Sequence, residues 1–371
     1  MRGRRILIRM LPLVLLCGCQ DEKVLEKIGF VRTIVMETAE GQDQAMKMTI
    51  SIPKTNQTEA IVYSTVSKSF KQARIRFDME NDRKIVFGQL RQVMFGESLA
   101  RRGVWGPLES VVRDPAIGVR THILVSEGDV SRYISKRFLQ GGTMGEYIDN
   151  LVRSDPATRG RFDTNLHTFM RDYYDDGIDP IATIIKETER GLGVNGIALF
   201  AGDRCVGKID AEDAMFFALL RDKLKSGTLY MDEVETPRGM GTLTLGNVTS
   251  RQRIEVLSPP DAKLGKAARA VIKLKIRGSL LEYDGLMSLN NIRSQPMLER
   301  AMEKYVSGRC ERLVKDMQRT GSDALGVGIR VRNKMKYKAW KSLDWNKAFA
   351  EAEIKVSVKL EIKDFGRLLE S

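Results

Sequence analysis

The sequence SQPMLERAMEKYVSGRCERLVKDMQR, residues 294–319, carries the strongest helical pattern in the chain and decides the fold class. Its apolar residues recur every three or four positions, which predicts one apolar stripe along a single long helix. The stripe consists of Leu298, Ala301, Met302, Tyr305, Val306, Cys310, Leu313, Val314 and Met317. A stripe of this length needs another apolar surface to cover it. Because Cys310 lies inside the stripe, we expect a buried structural thiol there.

Two segments with strict alternation of apolar and polar residues flank this helix. In the first, Ile272, Leu274 and Ile276 are separated by basic residues, and residues 354–362 alternate in the same way. Such alternation is typical of strands with one dry and one wet face. A helix on the dry side of an antiparallel sheet is the simplest packing. The sequence therefore predicts a C-terminal α+β domain over residues 236–371.

The preceding part of the chain mixes both kinds of element. Residues 19–190 contain β-branched runs and helical patterns, including a helix predicted from the spacing of Val62, Val66, Phe70 and Ala73. This predicts an N-terminal mixed α/β domain. Residues 191–235 contain a hairpin with Gly202 in its turn, followed by a helical pattern, and are predicted to form a small middle domain. The fold class is thus α+β, with three domains of mixed sheets and flanking helices.

The first nineteen residues, MRGRRILIRMLPLVLLCGC, have the features of a secretory signal peptide. A positive segment precedes an apolar run that is shorter than the roughly 20 residues a membrane-spanning helix needs. The run ends in Leu16-Cys17-Gly18-Cys19, after which the chain becomes polar. This order resembles a bacterial lipobox, so residues 1–18 are predicted to be a lipoprotein signal peptide and Cys19 the lipidated residue. The alternative is an ordinary signal peptide, or a buried helix with a chance cysteine.

Composition and charge limit the classes of function. The chain has 371 residues, 42% of them hydrophobic and 29% charged, which excludes a disordered chain and a multi-span membrane protein. Removal of the four signal arginines lowers the formal charge from +13 to +9. A positive balance of this size suits anionic lipid headgroups as well as nucleic acid.

Two motifs resemble ligand sites in their letters only. Gly191-x-Gly193-x-x-Gly196 matches the dinucleotide fingerprint, but it opens a predicted strand after a helix-like segment, so an interdomain turn is the simpler interpretation. The aspartates around Gly177 lack the alternate oxygen ligands and the closing glutamate of a calcium loop, which favours a solvated loop that ends a helix. They are Asp172, Asp175, Asp176 and Asp179.

A basic segment near the C-terminus is interleaved with aromatic residues, as in proteins that stack nucleic-acid bases. Its residues are Arg330, Arg332, Lys334, Lys336, Lys338 and Lys341, with Tyr337, Trp340 and Trp345. The alternative is a wet-faced strand and short helix whose tryptophans pin it to the core. We expect no nucleic-acid partner.

The sequence also contains no GxSxG, no HExxH and no plausible Cys/His pair. We therefore expect no enzymatic activity, no cofactor and no metal.

Short motifs spread over the whole length carry a resemblance to one family. In order they are the lipobox ending at Cys19, IGF (28–30), VFGQL (86–90), FGESLARRG (95–103), VRDP (112–115), GIALF (196–200), VGK (206–208), DALGVG (323–328) and WKSLDW (340–345). With these motifs in this order, the chain resembles the Ger(x)C family, the lipoprotein C subunits of nutrient germinant receptors in spore-forming bacteria.

The resemblance implies a noncatalytic, three-domain lipoprotein on the outer face of the spore inner membrane. It also implies assembly with two integral membrane subunits, the A and B subunits of a germinant receptor, during spore germination. A second hypothesis is an extracytoplasmic lipoprotein that binds a small nutrient in a cleft between the first and last domains. A third, a surface hydrolase, lacks any recognisable nucleophile or metal constellation.

Overall fold

The computed structural model describes residues 27–41, 45–54, 59–130, 133–134, 142–153, 162, 164–189, 191–260, 265–287 and 294–364. The predicted signal peptide and Cys19 lie outside these residues. None of the helices described is both long and apolar enough to cross a membrane. Three sheets with flanking helices make up the fold, which confirms the predicted α+β class.

Ten strands form the first two sheets, and they are β1 (Ile28–Phe30), β2 (Thr33–Thr38), β3 (Met46–Pro53), β4 (Ala60–Ser67), β5 (Lys84–Val86), β6 (Gln92–Gly96), β7 (His122–Glu127), β8 (Ile181–Thr188), β9 (Gly191–Ala201) and β10 (Arg204–Asp210). β1 and β5 form a parallel pair. The other eight form one sheet in the order β10-β9-β8-β7-β6-β2-β3-β4. Its centre, from β2 to β8, is parallel, and the pairs on either side are antiparallel. This is the mixed sheet that the sequence predicts.

Helices cover both faces of the eight-stranded sheet, and they are α1 (Phe70–Met79), α2 (Glu97–Arg102), α3 (Trp105–Val112), α4 (Met144–Arg153) and α5 (Leu166–Tyr174). On β6, Val93 and Phe95 enter the core that contains α1, α2, α3 and α5, whereas Met94 enters the core beneath α4. Successive side chains of a strand point to opposite faces. The central parallel strands are therefore buried on both sides, as their apolar sequences require.

The helix predicted from Val62, Val66, Phe70 and Ala73 is wrong over its first half. Val62 and Val66 lie in β4, and α1 begins only at Phe70. The Ser69 hydroxyl caps this helix by accepting a hydrogen bond from a backbone N–H of its first turn. The residues of β4 are rich in β-branched side chains, and their pairing with β3 outweighs the helical spacing.

The second large sheet has four strands and lies against one long helix. Its elements are α6 (Ala214–Arg221), β11 (Leu229–Thr236), β12 (Gly239–Ser258), β13 (Arg269–Asp284), α7 (Ser294–Thr320), α8 (Val327–Arg332), α9 (Tyr337–Lys341), α10 (Trp345–Ala350) and β14 (Glu353–Ile362). The strand order is β11-β12-β13-β14. The first two pairs are antiparallel, but β13 and β14 are parallel. The sheet thus differs from the predicted antiparallel one in its last pair, because the helices α7–α10 form the long crossover that parallel strands need.

The apolar stripe of α7 packs on this sheet as predicted. Eight of its nine residues are buried, and Tyr305 is partly buried against the same core. Ile272, Leu274 and Ile276 of β13 face the stripe, while the basic residues between them are exposed. Burial raises the pKa of the Cys310 thiol far above its ordinary value, so this cysteine is neutral and structural.

Helix α7 also covers the free edge of β14. The carboxylate of Glu299 accepts a hydrogen bond from the backbone N–H of Ile362, and that of Glu303 from Leu360, both at 2.9 Å. The two glutamates are four positions apart and therefore lie on one side of the helix. They occupy donors that an edge strand otherwise offers to a second chain.

The segment predicted as a small middle domain, residues 191–235, is divided between the two large sheets. Gly202 lies in the predicted hairpin turn with a φ of +60°, but β9 and β10 extend the eight-stranded sheet. The helix α6 lies in the core of the four-stranded sheet, and β11 is a strand of that sheet. Within the described part of the chain, this segment therefore forms no sheet of its own and instead connects its two neighbours.

Candidate functional site at the junction of the two large sheets

The four aspartates at the end of α5 face residues from the second half of the chain. The prediction of a solvated loop is wrong for Asp172 and Asp179, which are only 2% and 8% exposed. Each of the four carboxylates accepts hydrogen bonds from groups distant in sequence. No cluster of acidic, histidine or cysteine side chains suited to a metal ion occurs in the described ranges. The segment therefore acts as a connection between the sheets.

Asp323 forms the centre of this connection, which we call the junction. It is fully buried, between the end of α7 and the start of α8. Its carboxylate accepts hydrogen bonds from the backbone N–H of Val327 (3.0 Å), from that of Gly328 (2.7 Å), and from the indole Nε1–H of Trp345 (2.9 Å). One side chain therefore holds the first turn of α8 and the first residue of α10 together.

Asp179 extends the junction to the eight-stranded sheet. Its carboxylate accepts hydrogen bonds from the backbone N–H of Asp323 (2.8 Å) and from that of Gly202 (3.0 Å). The N–H of Asp179 in turn donates to the carbonyl oxygen of Asp323 at 3.0 Å. These bonds join the loop after α5, the β9–β10 turn and the segment before α8, which are far apart in sequence.

Ion pairs surround this buried centre. They join Asp172 to Arg221 (2.6 Å), Asp175 to Arg332 (2.9 Å), and Asp176 to Lys341 (2.6 Å). The other terminal nitrogen of the Arg221 guanidinium, Nη1, donates a hydrogen bond to the carbonyl oxygen of Ala324 at 2.6 Å. Two cations of the basic segment thus neutralise acids of the same chain. Trp340 and Trp345 are buried and anchor this segment in the core, as the alternative interpretation predicted. The segment forms short helices and not the predicted strand.

Two glycines allow the backbones at the junction to approach each other. A Cβ atom on Gly328 would lie 2.4 Å from Nε1 of Trp345, and one on Gly177 would lie 2.5 Å from the backbone nitrogen of Ile329. The N–H of Ile329 donates to the carbonyl oxygen of Gly177 at 3.0 Å. Neither position has room for a side chain while these contacts are kept.

Burial determines the electrostatics of the two central carboxyls. It raises the pKa of Asp323 to about 6, despite the three N–H donors that favour the charged form, and the charge of Asp179 adds to the rise. The pKa of Asp179 is raised by burial as well. Isolation from water therefore outweighs hydrogen bonding at both groups.

These pKa values predict a pH dependence of stability. Between about pH 4 and pH 6 the folded protein binds a proton at Asp323 more readily than the unfolded chain does, so the free energy of unfolding falls as pH rises through this window. Carboxyls with lowered pKa, such as Glu127, act in the opposite direction. The wild type should therefore be compared with Asp323→Ala by urea unfolding at several pH values. The difference in the free energy of unfolding between the wild type and the variant should grow as the pH falls from 7 to 5. A difference that stays constant would contradict the raised pKa of Asp323.

A second buried charged cluster was not evident from the sequence. The carboxylate of Asp149 on α4 lies within 3.2 Å of His122 Nε2, and it accepts hydrogen bonds from Arg91 (2.9 Å) and Arg153 (2.8 Å). Burial alone would raise the pKa of Asp149, but the hydrogen bond of His122 and the two arginine charges together lower it. The carboxylate therefore stays ionised and ties α4 to the sheet. Only the spatial pairing of residues distant in sequence reveals this cluster.

The dinucleotide-like glycines have a structural role. Gly191, Gly193 and Gly196 lie inside β9, which follows strand β8 and not the helix-like segment that was predicted. A Cβ atom on Gly196 would lie 2.1 Å from the carbonyl oxygen of Ile209, and its φ is +128°. The motif thus forms neither the interdomain turn expected from the sequence nor a phosphate-binding loop, because no helix begins after it.

The two halves of the chain match two families of spore germination domains. Residues 21–187 match the family described as "Spore germination protein N-terminal domain". Residues 195–366 match "Spore germination B3/ GerAC like, C-terminal". The chain belongs to the Ger(x)C family of spore germination proteins, as its motifs indicated. Two of those motifs, at residues 323–328 and 340–345, build the junction.

Individual relatives resemble the chain over nearly its full length. It is 21% identical to the spore germination protein GerQC of Bacillus cereus, covering 98% of this chain and 99% of that protein. It is also 21% identical to the putative spore germination protein YfkR of Bacillus subtilis (strain 168), covering 98% and 97%. The crystal structure of the GerBC protein has the same fold, with a TM-score of 0.52, 13% identity, and coverage of 89% of this chain and 96% of that one.

Proposed function

We propose that the protein is a noncatalytic subunit of a spore nutrient germinant receptor, anchored by lipid on Cys19 to the outer face of the spore inner membrane. The observation that supports this most is the match of both halves to spore germination domains, in a chain whose residues 16–19 resemble a lipobox. In this proposal the folded part docks onto two integral membrane subunits, and catalysis has no role.

The anchor and the junction have complementary roles in this proposal. Two acyl chains hold a protein stably at a bilayer, whereas one does so only marginally. Confinement to the membrane raises the effective concentration of weakly interacting partners without any new contact. The buried hydrogen bonds between Asp179 and Asp323 join the two large sheets, and one apolar core contains residues of both, such as Ile197 and Leu274. A partner that docks on one sheet would therefore hold the other as well.

Purification from spores tests the proposed assembly. The tagged chain, extracted from spore membranes in mild detergent, should bring down two multi-span membrane proteins, identified by mass spectrometry. A tagged lipoprotein of unrelated fold from the same membranes serves as the control for shared detergent micelles. Recovery of the chain without membrane partners, or with the partners that the control also recovers, would contradict the docking role.

A cleft supports the second candidate, a lipoprotein that binds a small nutrient. It does not lie between the first and last domains as expected, but at the carboxyl ends of β2, β6 and β7, with a volume of about 760 Å³. Glu37, Lys47 and Glu97 are among the residues that line it. The carboxyl ends of parallel strands are the usual place for ligands in α/β sheets. A nutrient that binds there must raise the melting temperature, so a screen of amino acids and sugars without any shift would reject this candidate.

A further inference from the structure

The exposed face of the four-stranded sheet places like charges opposite each other. Arg251 of β12 pairs in register with Lys275 of β13, which pairs in register with Lys359 of β14. Register partners point to the same side of a sheet, and neighbouring strands lie about 4.8 Å apart. Three cations therefore form a row across three strands. In the next row Arg253 lies opposite Lys273.

We call this surface the basic face, and its charged residues are Arg251, Arg253, Arg269, Lys273, Lys275, Arg277, Lys355 and Lys359, with Glu255, Glu353 and Glu361. Eight cations stand against three carboxylates, an excess of five charges. All eight cations are exposed, and Arg269 forms an ion pair with Glu353 at 3.2 Å. The face thus carries more than half of the +9 expected for the mature chain.

The carboxylates nearby neutralise only part of this charge. Ion pairs join Lys273 to Glu255 (2.6 Å), Arg277 to Glu361 (2.9 Å), and Lys359 to Glu303 (3.4 Å). Within the residues that the structure describes, Arg251, Arg253, Lys275 and Lys355 take part in no ion pair. Like charges directly opposite each other destabilise a sheet, and the wet side of a strand accepts uncharged residues equally well. The fold does not require this arrangement.

The positive surface continues beyond the sheet. An open cleft of about 690 Å³ beside the row of three cations is lined by six cations and two carboxylates: Lys223, Lys225, Arg251, Lys275, Arg277, Lys359, Glu299 and Glu361. Glu361 is paired with Arg277, and Glu299 accepts a hydrogen bond from the backbone of Ile362. Cations therefore outnumber carboxylates from β14 to the loop after α6.

We propose that the basic face binds the phosphate headgroups of an anionic phospholipid bilayer and turns this side of the protein toward the membrane. The proposal rests on the proposed lipid anchor. That anchor would confine the chain to a bilayer but would not determine which side of the protein faces the lipid. Clustered Lys and Arg residues are attracted to anionic lipid surfaces. Protein interfaces depend on buried aromatic and apolar anchors, whereas the outward side chains of this face are mainly charged. The exposed large apolar side chains Leu257 and Leu281 lie beyond its charged residues on β12 and β13.

A fluorescent label at Ser357 measures which side faces the lipid. Ser357 is exposed on β14 between Lys355 and Lys359, and Cys205 and Cys310 are buried, so Ser357→Cys provides one reactive thiol in the lipidated chain. The chain is reconstituted into phosphatidylcholine vesicles with or without phosphatidylglycerol, and a quencher is placed on the lipid headgroups. We expect quenching with phosphatidylglycerol, loss of quenching in high salt, and little quenching in phosphatidylcholine alone.

Lys275→Glu separates binding from folding. The new carboxylate would lie between Arg251 and Lys359, so the variant should melt at a higher temperature than the wild type. The substitution changes the charge of the face by two, and each charge changes the lipid affinity about fivefold. The population of molecules whose basic face lies on the lipid should therefore fall about 25-fold relative to other orientations. Lys71→Glu, on α1, makes the same change in net charge elsewhere and should leave quenching unaltered.

The outcomes are distinct. Equal quenching in neutral and anionic vesicles, or an equal effect of Lys71→Glu and Lys275→Glu, overturns the proposal. Absence of quenching on vesicles that retain the protein also overturns it. Heparin provides a further test. If heparin abolishes the quenching and the protein binds heparin more tightly than phosphatidylglycerol, the face binds a soluble polyanion and the proposal is overturned. Failure of the chain to sediment with any vesicle would instead reject the lipid anchor on which the proposal rests.

Discussion

Cys19→Ala is expected to move the protein from the membrane fraction to the soluble fraction of spores and to abolish most of the nutrient response that depends on it. In the proposed anchor a thioether on Cys19 would carry two acyl chains, and each buried CH₂ contributes about 0.8 kcal/mol to membrane binding. Electrostatic attraction alone gives only weak, salt-sensitive binding. Fractionation with immunoblotting measures the location, and loss of refractility after nutrient addition measures germination.

Cys17→Ala is the matched control for this experiment. Cys17 lies two positions before Cys19, inside the segment that a lipoprotein signal peptidase would remove. Its replacement should leave both location and germination unchanged. The Cys19→Ala chain should also remain folded, with an unchanged circular dichroism spectrum. An undiminished membrane fraction and normal germination in Cys19→Ala would contradict the proposed anchor.

Asp323→Ala is expected to lower the free energy of unfolding at pH 7 by about 3–5 kcal/mol, because three buried donors lose their acceptor. The change leaves the N–H groups of Val327 and Gly328 and the indole N–H of Trp345 buried without their acceptor. Each buried unsatisfied donor costs about 1–3 kcal/mol. Chemical denaturation followed by tryptophan fluorescence measures the loss, because Trp345 reports on the junction itself.

Two variants calibrate this result. Asp323→Asn keeps one acceptor oxygen and should lose less stability than Asp323→Ala. Asp176→Ala removes a carboxylate from the same junction, but its ion pair with Lys341 is about half exposed and is expected to contribute at most about 1 kcal/mol. A loss for Asp323→Ala no larger than that for Asp176→Ala would show that the buried network does not hold the sheets together.

The long amphipathic helix and the alternating strands could be predicted because their patterns are local. The stripe of α7 and the dry face of β13 have periods of 3.6 and 2 residues, which periodicity alone distinguishes. Apolar periodicity failed at β4, where Val62 and Val66 have helical spacing but belong to a strand. There the pairing partner, β3, decides the structure, and no local pattern reveals a partner.

The junction could not be predicted because its parts are chemically ordinary until the fold brings them together. The aspartates after α5 resemble a solvated loop, and the basic segment near Trp345 resembles a nucleic-acid surface. In the structure Asp175 pairs with Arg332 and Asp176 with Lys341, across 157 and 165 residues of sequence. The parallel pairing of β14 was missed for the same reason, since register with β13 depends on the crossover through α7.

Mass spectrometry of the mature N-terminus, isolated from spore membranes of the source organism, tests the central claim most directly. The proposal predicts a first residue, Cys19, that carries a thioether-linked diacylglycerol, and no peptide from residues 1–18. A protein that keeps those residues, or an unmodified Cys19 in a chain recovered from the soluble fraction, would contradict it.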